Sequence, residues 1–563
     1  MSLTVGITTN QSKRMRRFRL FIFAAATLAV ASQISALGRK TDQFSEGPLE
    51  MPAYQKLGYA ERIIESFYVD SVKPDELVEE AIVSMLHTLD PHSTYSDPEE
   101  TKELTSPLDG NFSGIGVQFQ MIKDTLQVIQ TTAGGPSEKV GILPGDRILQ
   151  AGDSLISGVK SPNSRILKIL RGPKGSEVIL KVLRRGVNTP LTFHIVRDDI
   201  PIYSVDASYM ADPTTGYIRI SRFAESTPDE FDKAFRALRK QGMQNLILDL
   251  EDNGGGYLGA AHELSSRFLE KGDTVVYTYS PKMGAAYYDV KRDGNFPEGR
   301  VVVLTNQYSA SAAEITAGAV QDNDRGLVVG RRTFGKGLVQ RPFPFPDGSM
   351  IRLTVSKYFT PSGRCIQKPY TKGDEEAYRM DMKHRYDAGE FSSADSVHLD
   401  KTDIYYTKRN RRPVYGGGGI MPDVFVPIDT TMYSDYYRDL VAKGIINRYA
   451  ATYVDDNRDR LHKEYPSEEA FIKNFEVTPE MLRGIVEAGT ADSVKYDDAQ
   501  FTTSRPMMST VIKGLIGRDL FEQATYFKIA NPVLNPVFRE ALALINDPER
   551  YAAILAGNTE EKQ

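Results

Sequence analysis

The stretch from Val301 to Gln340, VVVLTNQYSASAAEITAGAVQDNDRGLVVGRRTFGKGLVQ, constrains this chain more than any other. Val301 to Leu304 is a run of apolar β-formers and predicts a buried strand. Asn306 to Ser311 breaks it, and Ala312 to Gln321, rich in alanine, predicts a helix. A serine at such a junction sits beside the helix's first unpaired N–H groups. Those amides can hold the negative charge that develops when a serine oxygen attacks a carbonyl. Ser311 and the Ala312 amide occupy these positions. Lys336 follows twenty-five residues on, between Gly335 and Gly337, and Gln340 four residues later.

A serine nucleophile needs a base. The seven histidines, His87, His92, His194, His262, His384, His398 and His462, are scattered and none lies in this stretch. Lysine can replace histidine in the triad logic. A free lysine titrates near ~10.4, and lowering it by about 3 units takes roughly 4 kcal/mol of bias against the charged form. Burial supplies such a bias, and Phe334, Leu338 and Val339 are available as walls. Gly335 and Gly337 let the backbone come close to the serine. Ser311-Ala312-Ala313-Glu314 also has the form of a capping box, and Ser309 is a second serine able to cap.

The pattern Tyr308-Ser-Ala-Ser-Ala-x-Glu-Ile315, then Ala317-Gly-Ala319, Gln321-Asp322 and Thr333-Phe-Gly-Lys-Gly-x-Val-Gln340 resembles the carboxyl-terminal processing proteases, also called tail-specific proteases. The resemblance spans about Tyr54 to Pro427. It implies Ser311 as nucleophile, Lys336 as general base and Gln340 as the group that orients the lysine. It also implies an α/β core of the crotonase/ClpP-like spiral kind.

Near-balanced charge, a net of −5 over 563 residues, gives no reason to expect a nucleic-acid partner. That length suits roughly 3 to 5 domains. The single cysteine, Cys365, excludes an internal disulfide and is expected to be a packing residue. Lys13, Arg14, Arg16, Arg17 and Arg19 precede an uncharged stretch from Leu20 to Leu37, with small residues at Ser35 and Ala36. Residues 1–38 therefore predict a signal peptide or signal anchor, and with it a periplasmic or cell-envelope location, soluble or held to the inner membrane through residues 20–37.

Residues 50–105 predict an N-terminal helical segment closing on Leu89-Asp90-Pro91-His92-Ser93-x-Tyr95, where His92 is expected to serve the turn. Residues 106–198 predict a β-rich module similar to a PDZ domain, with the block Leu143-Pro-Gly-Asp-Arg-Ile-Leu149. Such modules bind an extended C-terminus by strand addition and capture its carboxylate with loop amides. The matching loop is Gly114, Ile115, Gly116 and Val117. Arg171 is a candidate for coupling tail binding to the active site. Residues 199–428 predict the protease core: a strand at Tyr217–Ile220, a helix from Ser226 to Gln241, and a buried strand from Asn245 to Leu250. A glycine loop follows. Gly255 and Gly256 there, with Ala312, are the candidate oxyanion hole. Glu251 stands where the resemblance leads one to expect arginine. Residues 371–412 predict a polar surface excursion, and 429–563 a helical extension.

The expected protein is an exported serine endopeptidase that takes proteins or peptides with free apolar C-termini, with no cofactor and no metal, and with self-association left open. Two other readings are a non-catalytic tail-binding scaffold and a crotonase-type acyl-CoA enzyme.

Overall fold

The computed structural model describes residues 52–122, 124–398 and 402–558. The proposed export segment, residues 1–38, lies outside them. Among the described residues no helix is long and apolar enough to cross a membrane. The chain divides into two compact units, Met1–Glu80 and Ala81–Gln563. The described part of the first contains helix Ala53–Phe67, none of whose side chains is buried.

The second unit is built on a six-stranded sheet whose strands lie in sequence order: β1 Val205–Met210, β2 Thr215–Ile220, β3 Asn245–Asp249, β4 Val301–Thr305, β5 Leu327–Gly330 and β6 Val424–Phe425. β1 pairs antiparallel with β2, and every later pairing is parallel. Each residue of β3, β4 and β5 is buried, as central parallel strands covered on both faces require. One face carries helices α1 Thr227–Lys240, α2 Leu258–Ser265 and α3 Ala312–Asp322, which pack Phe231, Phe235, Leu264 and Ile315 onto Ile218, Leu248 and Val303. A second sheet formed by Thr94–Ser96, Leu338–Pro344, Met350–Phe359, Thr274–Ser280 and Gly284–Asp289 adjoins this layer.

Residues 371–398 depart from the expected surface excursion. Helix α4, Glu375–Asp387, buries Tyr378 and Arg385 against the core. Its polar composition hides this, because what it buries is hydrogen-bonded and ionic.

The β-rich module has the sheet order Val117–Ile122, Thr125–Thr131, Arg147–Ala151, Glu177–Leu183, Leu191–Val196, leaving Val117–Ile122 at an edge. Glu177–Leu183 alternates exposed and buried residues around Val178, Leu180 and Val182, the period of a half-buried strand.

Helix α5, Ile445–Glu464, begins after Gly444, whose φ of 66° separates it from the preceding helix Asp435–Ala442. The long helix Asp498–Leu520 has no polar stripe in its second half, which is buried nearly all round. Helices α6, Gln523–Leu534, and α7, Pro536–Ile545, cover the other face of the main sheet. Val537, Phe538, Ala541 and Leu544 of α7 pack on Tyr217, Ile247 and Val302. The C-terminal helices thus complete the main sheet's core as its third layer.

Candidate active site

Three loops leave the carboxyl ends of the adjacent parallel strands β3, β4 and β5, where open α/β sheets place their ligands. The β4 loop turns sharply into α3. Ser311, at the N-cap, has φ 55° and ψ −113°, a left-handed conformation that a side chain other than glycine adopts only under constraint. Ala310 N–H is held by Asn253 O (2.9 Å), and Tyr358 Oη donates to Ser311 O (3.2 Å). Ser309 is a structural residue: fully buried, it donates to Leu250 O (2.7 Å) and accepts from Asn306 N–H (3.0 Å). Ser311, by contrast, is only half-buried.

Glu314 is the centre of the site, and the sequence reading saw only its capping role. Its carboxylate is wholly buried. Oε2 accepts from Ser311 N–H (2.8 Å) and from Lys336 N–H (2.9 Å), and Oε1 accepts from Thr333 Oγ1 (2.5 Å) and Gly335 N–H (2.7 Å). One oxygen atom therefore ties the serine turn to the lysine loop, and the two backbone nitrogens are no farther apart than two hydrogen-bond lengths. Burial raises the Glu314 carboxyl to about 6 despite these donors.

Lys336 is half-buried, and its Nζ makes no hydrogen bond or ion pair among the described residues. Burial, aided by the Arg352 charge, pushes its ammonium down from 10.5 to about 8, with Glu314 and Asp90 opposing. No hydrogen bond joins Ser311 Oγ to Lys336 Nζ. Gln340 does not reach Lys336 by a hydrogen bond either: its Nε2 donates to Thr354 Oγ1 (3.1 Å), which donates to Asp90 Oδ1 (2.9 Å). Because the one Thr354 hydroxyl proton is committed to Asp90, Gln340 must present its amide nitrogen to Thr354, leaving its Oε1 to accept elsewhere. His92 N–H also donates to Asp90 Oδ1 (2.9 Å), in keeping with a turn role, and its ring meets Tyr378 Oη at 2.9 Å. Burial and the Lys336 charge push that imidazole down to about 3, so it is neutral.

The lysine loop is clamped from outside by the segment read as a surface excursion. Arg385 donates to Thr333 O (3.1 Å) and Arg332 O (2.9 Å) and pairs with Glu390. Lys368 N–H donates to Gly335 O (2.9 Å), and its ammonium lies over the rings of Phe334 and Tyr378, each 4.1 Å away.

The glycine loop faces Ser311. A Cβ on Gly255 would stand 2.7 Å from Ser311 Cβ and 2.9 Å from Ala312 N, so only glycine fits there. Gly255 N–H, however, donates to Asn253 Oδ1 (2.8 Å). Against expectation, Gly255 supplies clearance rather than a free donor. Gly256 forms a β-bridge with Phe223, and a Cβ there would overlap Phe223 O. Ala312, the first residue of α3, has no intrahelical partner for its amide.

In the β-rich module, Ile115 O accepts from Ser137 N–H (3.0 Å) and Oγ (2.6 Å), and Gly116 O from Thr132 N–H (3.0 Å). Those bonds hold Ile115 and Gly116 as a tight connection between strands Asn111–Gly114 and Val117–Ile122, and the amides of both have no partner among the described residues. Arg171 lies over the Phe112 ring (4.6 Å), with Nε buried and unpaired. Cys365 is half-buried and its thiol is raised by burial, as suits a packing residue.

A constrained serine turn, a depressed lysine and a tail-binding module together define a serine-type peptidase carrying a PDZ domain. Residues 214–377 match peptidase family S41, 113–195 a PDZ domain, 21–101 the N-terminal domain of the activating protease CtpB, and 436–522 a family of unknown function. The chain is 35% identical to the carboxy-terminal processing protease CtpB of Bacillus subtilis (strain 168), over 62% of this chain and 72% of that protein. It is 33% identical to CtpA of the same organism, over 64% and 78%. A solved photosystem II D1 C-terminal processing protease is 28% identical over 56% of this chain and 91% of that one, with a TM-score of 0.32. The chain belongs to the carboxy-terminal processing protease family.

Proposed function

We propose that this protein is an exported endopeptidase that captures the C-terminal tails of proteins in its PDZ domain and cleaves upstream of them with Ser311 and Lys336. The observation that carries the reading is the Glu314 oxygen shared by the Ser311 and Lys336 amides beside a lysine depressed to about 8. Neutral Lys336 takes the Ser311 hydroxyl proton as the oxygen attacks the scissile carbonyl, then returns it to the leaving amine. Water repeats the cycle on the acyl-enzyme. The Ala312 amide, at the positive end of α3, holds the oxyanion beside the glycine loop. Gln340 Oε1, oriented by Thr354 and Asp90, receives Lys336 as it moves toward Ser311. The Ser311–Lys336 hydrogen bond forms as substrate binds.

An apolar tail adds as a strand to the edge Val117–Ile122, with its carboxylate at the Ile115 and Gly116 amides. Arg171 couples that event to the core. The main sheet belongs to the crotonase/ClpP-like spiral kind, and residues 20–37 hold the chain at the membrane until cleaved, or permanently.

Mass spectrometry of a protein with an apolar tail, incubated with the enzyme or with Ser311→Ala, tests the reading. Cleavage by the first alone is expected, and amidating the tail should abolish capture. Equal cleavage by both removes Ser311 as nucleophile.

A further inference from the structure

Glu251 sits in the glycine loop after β3, and its side chain is buried. Its carboxylate is met from two directions. Oε2 accepts from Asn535 Nδ2 (2.7 Å), at the junction of α6 and α7. Oε1 faces Arg331 Nη2 (3.8 Å), and Arg331 Nε donates to Gln307 Oε1 (2.9 Å) in the serine turn. The Glu251 backbone is held as well, its N–H donating to Asp249 Oδ1 (2.8 Å) and its carbonyl accepting from Arg219 Nη2 (3.0 Å). Four residues further along the same loop, Gly255 packs against Ser311 and Ala312.

Asn535 is itself immobilised. It is the N-cap of α7, with Oδ1 accepting from Phe538 N–H (3.0 Å). Val537, Phe538 and Ala541 seat that helix on the sheet, and its far end is pinned by Arg300 Nε donating to Ile545 O (2.7 Å). A rigid helix terminus thus holds a side chain of the glycine loop that also meets the serine turn through Arg331, alongside the direct bonds Asn306 makes to Asp252.

We propose that Asn535 and Glu251 form a brace by which the C-terminal helices set the glycine loop at the distance from Ser311 that the oxyanion site needs, which makes Glu251 a positioning residue for peptide-bond cleavage. The proposal rests on the reading of Ser311 as nucleophile. It gives this brace a part in turnover and none in tail capture, because Asn535 and Glu251 touch no residue of the PDZ domain. A misplacement of the order of 1 Å at a reacting centre can cost about 10²-fold in rate. Loss of one hydrogen bond to a loop with other tethers should move it less.

The test uses the full chain. Asn535→Asp keeps the helix cap, since an aspartate oxygen still accepts Phe538 N–H, but replaces the donor amide with an acceptor. The assay is run at pH 9, because burial and the Asp249 charge raise the Glu251 carboxyl to about 8 and a protonated Glu251 can itself donate to the aspartate. The substitution should lower kcat on the order of tenfold, with KM and the Kd of an apolar tail peptide unchanged. Adding Glu251→Gln reverses the direction of the bond, the new amide donating to the new carboxylate, and should bring kcat back to within about threefold of the starting enzyme. A packing defect would not be repaired by that second change. If Asn535→Asp does not fold, Asn535→Ser, which also caps, takes its place with the same expected loss. Unchanged kcat in the single variant, or no recovery in the double, overturns the brace. A Ser311→Ala control that still cleaves would instead overturn the reading of the nucleophile, so the two failures are distinguishable.

Discussion

Lys336 has to be buried enough to lose its proton near neutrality and near enough to Ser311 to use the vacancy. Its depression from 10.5 to about 8 meets the first demand and carries a stability cost of up to about 3 kcal/mol, less where solvent reaches the half-buried side chain. Above pH 10.5 the lysine is neutral in both folded and unfolded chains. As pH falls toward 8, the unfolded chain takes up a proton that the folded one refuses. Stability therefore declines across that window and is level below it. Replacing Lys336 with methionine should abolish cleavage yet raise the Tm at pH 7, with the gain shrinking toward pH 10.5. In the intact enzyme kcat/KM should climb about tenfold per pH unit and level near pH 8. A profile flat between about pH 6 and 9 would exclude Lys336 as the base. Glu314 explains why so exposed a chemistry is so well held: it spends both carboxylate oxygens on the two loops that carry Ser311 and Lys336.

At the level of elements, α4 acts through the carbonyls it grips. Arg385 is buried, donates to the main-chain oxygens of Thr333 and Arg332, and pairs with Glu390, which also holds Arg332. Arg385→Ala should free the lysine loop and reduce the single-turnover rate of acylation by roughly ten- to a hundredfold, with tail binding unaltered. Arg385→Lys should rescue little, because a lysine cannot reproduce the fork across two carbonyls. An acylation rate unchanged in Arg385→Ala would show that the loop holds itself. None of this was legible in the sequence. The strand Val301–Thr305, the turn and helix Ala312–Asp322 were, because apolar runs and capping patterns are local signals. The partners of Glu314 other than Ser311 lie about twenty residues away and those of Gln340 connect through Thr354 to Asp90, a separation at which sequence carries no geometric signal. Polar composition from 371 to 398 looked like solvent exposure, although its charges are paired inward. Gly255 was read as an oxyanion donor, but Asn253 Oδ1 takes its N–H, and its close approach to Ser311 had no signal in the sequence.

Across the whole of the second unit, the helices after residue 429 touch both working parts of the molecule. One end reaches the glycine loop through Asn535. The other reaches the PDZ domain: α5 runs beside the edge strand Val117–Ile122, and Arg147 Nη2 meets Asp455 Oδ2 at 2.8 Å. Arg185 Nη1 donates to Asp455 O (2.8 Å), and Asp455 Oδ1 comes so close to Gly145 that a Cβ there would stand 3.0 Å from it. The Asp455 side chain is only 9% exposed, and Arg147 is 31% exposed. A pair so shielded contributes more than a surface ion pair, and removing one partner leaves the other charge uncompensated. This contact joins the C-terminal helices to the PDZ domain, and its two arginines belong to strands of that domain's own sheet or the turn after them. Asp455→Ala should therefore loosen the docking without unfolding either part. Amide exchange should quicken by about tenfold in α5 and in strand Arg147–Ala151, while the core strands β3 and β4 stay protected. Raising salt should reproduce part of the effect in the intact protein and add little in the variant, because screening acts only where the charges still attract. If exchange in both segments matches that of the intact protein at low salt, apolar packing rather than the ion pair carries the junction.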